Sequence, residues 1–274
     1  MEPFVKWAGG KRQLLNELLS FLPDDYNTYY EPFIGGGALF LAVAPKRYVI
    51  NDANSELVCA YRSFTNKDSF DELVKLLREH EAAHSEEHYY SVRAMDRDPD
   101  FPSLSPVARA ARVIYLNKSC FNGLFRVNAK GYNNVPSAKK ASVNCVNEEN
   151  YSDLFEYFAN AEGTILNGDF EAAVESAQKG DFIYFDPPYD VLENKNSFTS
   201  YAKNPFGKEE QIRLAEVFSK MSDRGAKVML SNHNTPFIQE LYAKFHIHVV
   251  LAKRLINSNA NGRGAVEEVI ITNY

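Results

Sequence analysis

Asp186-Pro187-Pro188-Tyr189 directly follows the apolar run Phe182-Ile183-Tyr184-Phe185. The run reads as a buried strand. Two successive prolines have fixed φ and no N–H, so they end the strand in a stiff turn with carbonyls facing outward. Asp186 adds a carboxylate acceptor and Tyr189 a flat stacking face. That set suits a planar amino group such as the N6 of adenine. Its lone pair is delocalised into the ring, which makes it a poor nucleophile. Acceptors on its hydrogens draw the nitrogen towards tetrahedral geometry and free the lone pair, while stacking holds the ring still. The plain alternative is a strand-closing turn with Tyr189 packed at its rim.

A second constellation points to a nucleoside-bearing ligand. Glu31-Pro32-Phe33-Ile34-Gly35-Gly36-Gly37-Ala38 follows an earlier strand candidate. Its glycines allow a sharp turn and close backbone approach to a ligand, although the GxGxxG fingerprint is not met. Asn51-Asp52 ends the next strand candidate, where an acid can accept ribose hydroxyls. Asn167-Gly168-Asp169-Phe170 offers an acid and an aromatic for an adenine ring; an N-cap role for Asp169 is equally compatible. Near the start, Gly9-Gly10-Lys11 invites a phosphate-loop reading, but Arg12 stands where Ser or Thr is needed. A glycine turn with a cation, beside Trp7, is the better description; an N-terminal helix cap with Trp7 in the core is the plain one.

His80-Glu81-Ala82-Ala83-His84 fits the zinc-protease pattern HExxH, and His88 lies one turn further on. The flanking charges describe a solvated helix, and the expectation is that no metal is held there. The net charge of −6 argues mildly against a nucleic-acid partner. Its distribution argues for one. From Phe101 to Asn147 there is no Asp or Glu, while Arg109, Arg112, Lys118, Arg126, Lys130, Lys139 and Lys140 all fall there. Such a stretch reads as an electrostatic footprint for phosphate. Within it, the segment from Asn117 to Asn128 holds Arg, Asn and apolar wedges, the ingredients of base reading.

The elements that must position these residues are short strands: Tyr29–Phe33, Tyr48–Asn51, Thr164–Asn167, Phe182–Phe185, Lys227–Ser231, Ile247–Ala252 and Val266–Thr272. Helical stretches at Lys11–Phe21, after Gly37 and at Glu209–Met221 alternate with many of them. The pattern predicts an α/β fold with a largely parallel sheet. More than a hundred residues separate the second and third strands, too many for a crossover loop. A mostly helical insertion from about Ser55 to Tyr151 is expected. The polar run Asp190–Pro205 is expected to be a mobile loop over the site. With 274 residues and 45% hydrophobic content the chain supports one large domain, or one with an insertion. No apolar run approaches a membrane span. Cys59, Cys120 and Cys145 form no CxxC pair, and Met1–Trp7 is unlike a signal peptide; a cytosolic protein with reduced thiols is expected.

Together these segments resemble the DNA adenine methyltransferase (Dam) family in its α-type order, with cofactor segment, recognition domain and Asp-Pro-Pro-Tyr in sequence. Matching blocks are Lys6–Lys11, Glu31–Phe40, Asn51-Asp52, Asn122–Asn128, Asn134-Val135-Pro136, Gly168–Phe170, Asp186–Tyr189, Ser197–Tyr201 and the final strand near Glu268. The resemblance implies a Rossmann-like S-adenosylmethionine-dependent methyltransferase sheet whose last two strands form an antiparallel hairpin. A catalytic domain would span 1–54 and 152–274. A target-recognition domain would span 55–151, with a base-reading hairpin near 117–136. It implies S-adenosylmethionine as donor and adenine N6 in double-stranded DNA as acceptor, with GATC as the usual target. An RNA or protein-amide methyltransferase and a catalytically inactive DNA-binding relative are the competing readings. The setting implied is a bacterial or phage cytoplasm, with the protein a monomer or weak dimer. By position, Trp7, Ala8, Gly9, Gly10, Lys11, Phe33, Gly35, Gly36, Gly37, Asp52, Asp169, Phe170 and Asp186 resemble cofactor contacts. Asp186, Pro187, Pro188 and Tyr189 resemble the catalytic corner. Lys6, Phe121, Asn122, Leu124, Arg126 and Asn128 resemble DNA contacts, with Phe121 the intercalating aromatic. One departure is Ser137-Ala138-Lys139-Lys140, where many members have Phe-Gly-Arg-Tyr.

Overall fold

The computed structural model describes residues 1–7, 14–191, 206–253 and 265–274. In chain order the elements are α1 (Leu15–Ser20), β1 (Tyr29–Glu31), α2 (Ala38–Val43), β2 (Arg47–Asp52), α3 (Ser55–Arg62), α4 (Lys67–Ala82), α5 (Glu86–Ala94) and α6 (Pro106–Ser119). They continue with α7 (Glu148–Asn160), β3 (Glu162–Asn167), α8 (Phe170–Ala173), β4 (Phe182–Phe185), α9 (Lys208–Asp223), β5 (Lys227–His233), α10 (Pro236–Leu241), β6 (His246–Lys253) and β7 (Ala265–Thr272). Every expected strand forms. The first stops at Glu31 rather than Phe33 because Pro32 has no N–H for the ladder.

The strands make one seven-stranded sheet in the order β3-β2-β1-β4-β5-β7-β6. β1 runs parallel to β2 and to β4, and β4 parallel to β5. β7 is antiparallel to both β5 and β6, so the expected hairpin-type pairing of the last two strands is present. Among the described residues no helix is long and apolar enough to cross a membrane.

The chain forms two compact units. One comprises Met1–Gly10, Gly35–Ala44 and Asp52–Asn167; the other comprises Lys11–Ile34, Pro45–Asn51 and Gly168–Tyr274. In the second, all four residues of β4 are buried. Ile183 and Phe185 pack with Leu214, Val217 and Phe218 of α9. The alternate residue Phe182 turns the other way, edge-on to Tyr29.

The first unit holds α3 to α7; α3, α4 and α5 pack on α6, whose Ala110, Ala111, Val113, Ile114 and Tyr115 are buried. The stretch 55–151 lies in this unit. Its helices start where side chains supply the missing acceptors: Asn54 for α3, Asn66 for α4, Ser85 for α5, Ser105 for α6 and Asn147 for α7 each accept from a first-turn N–H. Pro106 at the first turn of α6 needs no acceptor at all.

Candidate active site

β1 and β4 are neighbours, yet the chain leaves β1 towards β2 on one side and β4 towards β5 on the other. Their carboxyl ends therefore meet at the topological switch point, where open parallel sheets bind ligands. Pro32-Phe33 follows β1 and Asp186 follows β4.

Asp186 is half-buried, and its Oδ1 accepts a hydrogen bond from Ser231 Oγ at 3.0 Å. Ser231 is itself 2.8 Å from Tyr184 Oη. Pro188 O accepts from Gln211 Nε2 at 2.8 Å, and Asn232 Nδ2 donates to Gln211 Oε1 at 3.1 Å. Asn232 Oδ1 takes the N–H of Asp190 at 2.9 Å. The corner is thus fastened at its acid, at its second proline and just beyond its aromatic. Tyr189 donates to Glu268 Oε2 at 3.1 Å, and its ring meets that of His233 edge-on at 4.9 Å. Burial, then the Asp186 carboxylate, raise the Tyr189 phenol well above its ordinary range, so it stays protonated.

In the same unit, Phe33 stacks on Phe170 at 5.1 Å and 28°. Asp169 caps α8 through Glu171 N–H and also pairs with Arg213, whose Nη1 and Nη2 reach Oδ1 and Oδ2 at 2.9 and 2.7 Å. The guanidinium holds the Asp169 carboxyl below the usual range. It also lies over the Phe170 ring, 4.1 Å from the centroid. Asn51 Nδ2 donates to Pro32 O and Gly168 O, both at 3.0 Å, and so laces the loop after β1 to the turn before Asp169.

In the first unit, Gly35 has φ +47° and Gly37 +68°. A Cβ on Gly35 would stand 2.9 Å from Trp7 Cδ1, so the ring and the loop are in closest approach. Asp52 Oδ2 accepts from Gly35 N–H at 3.0 Å and Oδ1 from Asn54 N–H at 2.8 Å. Burial nevertheless pushes the Asp52 carboxyl up. Ala8, Gly9, Gly10, Lys11 and Ser197–Tyr201 lie outside the described residues, as does 192–205 of the expected loop.

The segment 117–136 is an irregular hairpin, with bridges at Cys120↔Ser137 and Val127↔Asn133. Asn117 holds its base: it accepts from Lys6 N–H and donates to Lys6 O and Gly123 O. Phe121 is 53% exposed and Leu124 38%. Asn122, Arg126, Asn128 and Lys130 are also exposed. Arg126 rests on Asn134, with Nε donating to Oδ1 at 2.7 Å. Asn128 Oδ1 closes the tip by accepting from Lys130 and Tyr132 N–H. Phe125 stacks on Trp7 at 5.2 Å.

One feature differs from the sequence reading. Arg112 is not part of a phosphate-facing surface; it is 1% exposed and paired with Glu56 and Asp96. In the HExxH segment, His84 bonds Tyr115 Oη and Lys140 O, while Glu81 accepts from Cys145 and Val146 N–H and from Arg78. These side chains serve packing and loop anchoring. Ser231, Gln211, Asn232 and Arg213 were not singled out from sequence, since none belongs to a local motif.

The site therefore defines a class, an open α/β fold with an acid-Pro-Pro-aromatic corner at its switch point. The model of the D12 class N6 adenine-specific DNA methyltransferases matches residues 7–256, and the chain belongs to that family. It is an adenine-specific DNA methyltransferase, with DNA as substrate and a methyl donor as co-substrate. It is 45% identical over its whole length to the type II methyltransferase M1.LlaDCHI of Lactococcus lactis subsp. cremoris, covering 96% of that protein. It is 39% identical, again over its whole length, to the type II methyltransferase M.MjaIII of Methanocaldococcus jannaschii, covering 99% of it. The DNA adenine methylase of Escherichia coli K12 is 33% identical over 97% of this chain and 93% of its own.

Proposed function

We propose that the protein transfers a methyl group from S-adenosylmethionine to N6 of an adenine turned out of duplex DNA, within GATC. The observation that carries this is the fastened Asp186–Tyr189 corner at the β1–β4 switch point. When bound, the donor supplies an electrophilic methyl group on a sulfonium. The residues present fit it. Among the described residues Asp52 accepts from two backbone N–H groups, and a carboxylate has further lone pairs for ribose hydroxyls. Asp169 offers an acceptor and the half-buried Phe33, backed by Phe170, a ring for an adenine. Trp7 and the Gly35-Gly36-Gly37 turn are close-packed backbone against a ring, with no side chain in the turn to obstruct a ligand.

The target N6 is paired and stacked in the duplex, so it must be extruded, at a cost of a few kcal/mol. Asp186 and the carbonyl of Pro187 accept its hydrogens, and Tyr189 stacks on the ring. These acceptors stabilise positive charge growing on the nitrogen as it attacks. The recognition role falls to the 55–151 segment. Phe121, already exposed, is the wedge that opens a base step. Lys6, Asn122, Leu124, Arg126 and Asn128 lie at or near the hairpin and serve base reading and contact.

Single-molecule sequencing of DNA from a methylation-deficient host expressing this chain tests the reading. N6-methyladenine in GATC is expected, and none with Asp186→Ala. Methylated cytosine, or unmodified DNA, would overturn the reading; N6-methyladenine in another sequence would overturn only the GATC part.

A further inference from the structure

We propose that Ser231, itself held by Tyr184, is a positioning residue that sets the Asp186 carboxylate for the incoming amine. The inference rests on the reading of Asp186 as that amine's acceptor. Phe185 pairs with Leu230 across β4 and β5, so the next residues along, Asp186 and Ser231, are brought side by side. Ser231 is fully buried and Tyr184 1% exposed. Ser231 Oγ lies 3.0 Å from Asp186 Oδ1 and 2.8 Å from Tyr184 Oη. Serine has one proton to give. An ionised carboxylate can only accept, so that proton goes to Asp186, and Tyr184 must donate to Ser231. The order Tyr184 O–H to Ser231 O–H to Asp186 is thereby fixed.

Two hydroxyls in an apolar interior carry a desolvation cost that alanine and phenylalanine would not. Their directed arrangement ends on the reacting corner. The terminal torsion of an aspartate is broad and has no strong preference of its own. A charge-assisted hydrogen bond from a rigid strand supplies one. The N6 hydrogens lie in the purine plane, so the orientation of the carboxylate decides whether it meets them. Burial, followed by the Asp186 charge, keeps the Tyr184 phenol well above its ordinary range, so it remains a donor at working pH.

Single-turnover methylation of a GATC duplex is measured for the wild type, Ser231→Ala, Tyr184→Phe, the double variant and Asp186→Ala, with dissociation constants for S-adenosylmethionine and duplex. Ser231→Ala is expected to slow transfer by about 30- to 100-fold, with both dissociation constants within about twofold of the wild type. Tyr184→Phe is expected to slow it by about 3- to 10-fold. The double variant is expected to match Ser231→Ala, because Tyr184 acts only through Ser231. A wild-type rate in Ser231→Ala, or losses that multiply in the double variant, would overturn the proposal. Should Ser231→Ala fail to fold, Tyr184→Phe decides alone: unchanged transfer overturns it. An inactive wild type, or an active Asp186→Ala, is instead a failure of the underlying functional reading.

Discussion

At the scale of single residues, surroundings divide one side-chain type into several roles. Asp186 is aimed by a buried serine, Asp169 is held ionised by Arg213, and Asp52 is pushed up by burial against two backbone donors. Histidine shows the same dependence. His80 Nδ1 is 3.0 Å from His88 Nε2, and its ring stacks on Tyr115 at 4.7 Å. Burial, and then His88, bring its pKa down to about 4. A free imidazole protonates near pH 6.5. Between these values the unfolded chain binds the proton and the folded one does not, so stability falls as pH drops through that window. The ring is partly exposed, which limits the effect to about 1–2 kcal/mol. Urea midpoints measured from pH 7 to pH 4.5 should fall, and His80→Gln should flatten that dependence.

At the scale of elements, the hairpin's return arm is held by a buried ionic cluster. Arg112 of α6 pairs with Glu56 and Asp96 and donates to Val92 O and Arg93 O. Asp96 in turn accepts from Asn133 N–H, and Arg97 donates to Asn133 O. Tyr89 and Arg93 of α5 both donate to Val135 O. Arg112→Ala leaves Glu56 without its paired cation in a largely buried place, while Asp96 keeps Arg97, and should lower the unfolding free energy by about 3–5 kcal/mol. Urea denaturation of the purified variant measures this. Strand positions were legible because apolar runs ending in Pro or Gly have few alternatives. The burial of Arg112 was not, since an arginine on an amphipathic helix carries no local mark of facing inward.

At the scale of the whole molecule, a chain of net charge −6 acts on a polyanion. Local distribution resolves this: Arg126, Lys130, Lys139 and Lys140 remain exposed in a stretch without acids. Phosphate contacts make affinity fall with salt, by about 0.9 in the log–log slope for each contact. Lys130→Gln should reduce that slope by roughly 0.9 while leaving sequence preference unchanged. Fluorescence anisotropy of a labelled duplex across a range of NaCl concentrations measures both.

The amino-acid sequence by itself determined where the chemistry lies. Proline's fixed φ, glycine's freedom, apolar runs and N-capping side chains all act within a few residues, so strands, turns and the Asp186–Tyr189 corner could be placed along the chain. Only the tertiary structure decided which distant groups set them. Ser231 is 45 residues from Asp186, Arg213 is 44 from Asp169, and Asn51 is 117 from Gly168. Such pairs depend on strand order and register, which arise from packing of the whole sheet and leave no local pattern to read.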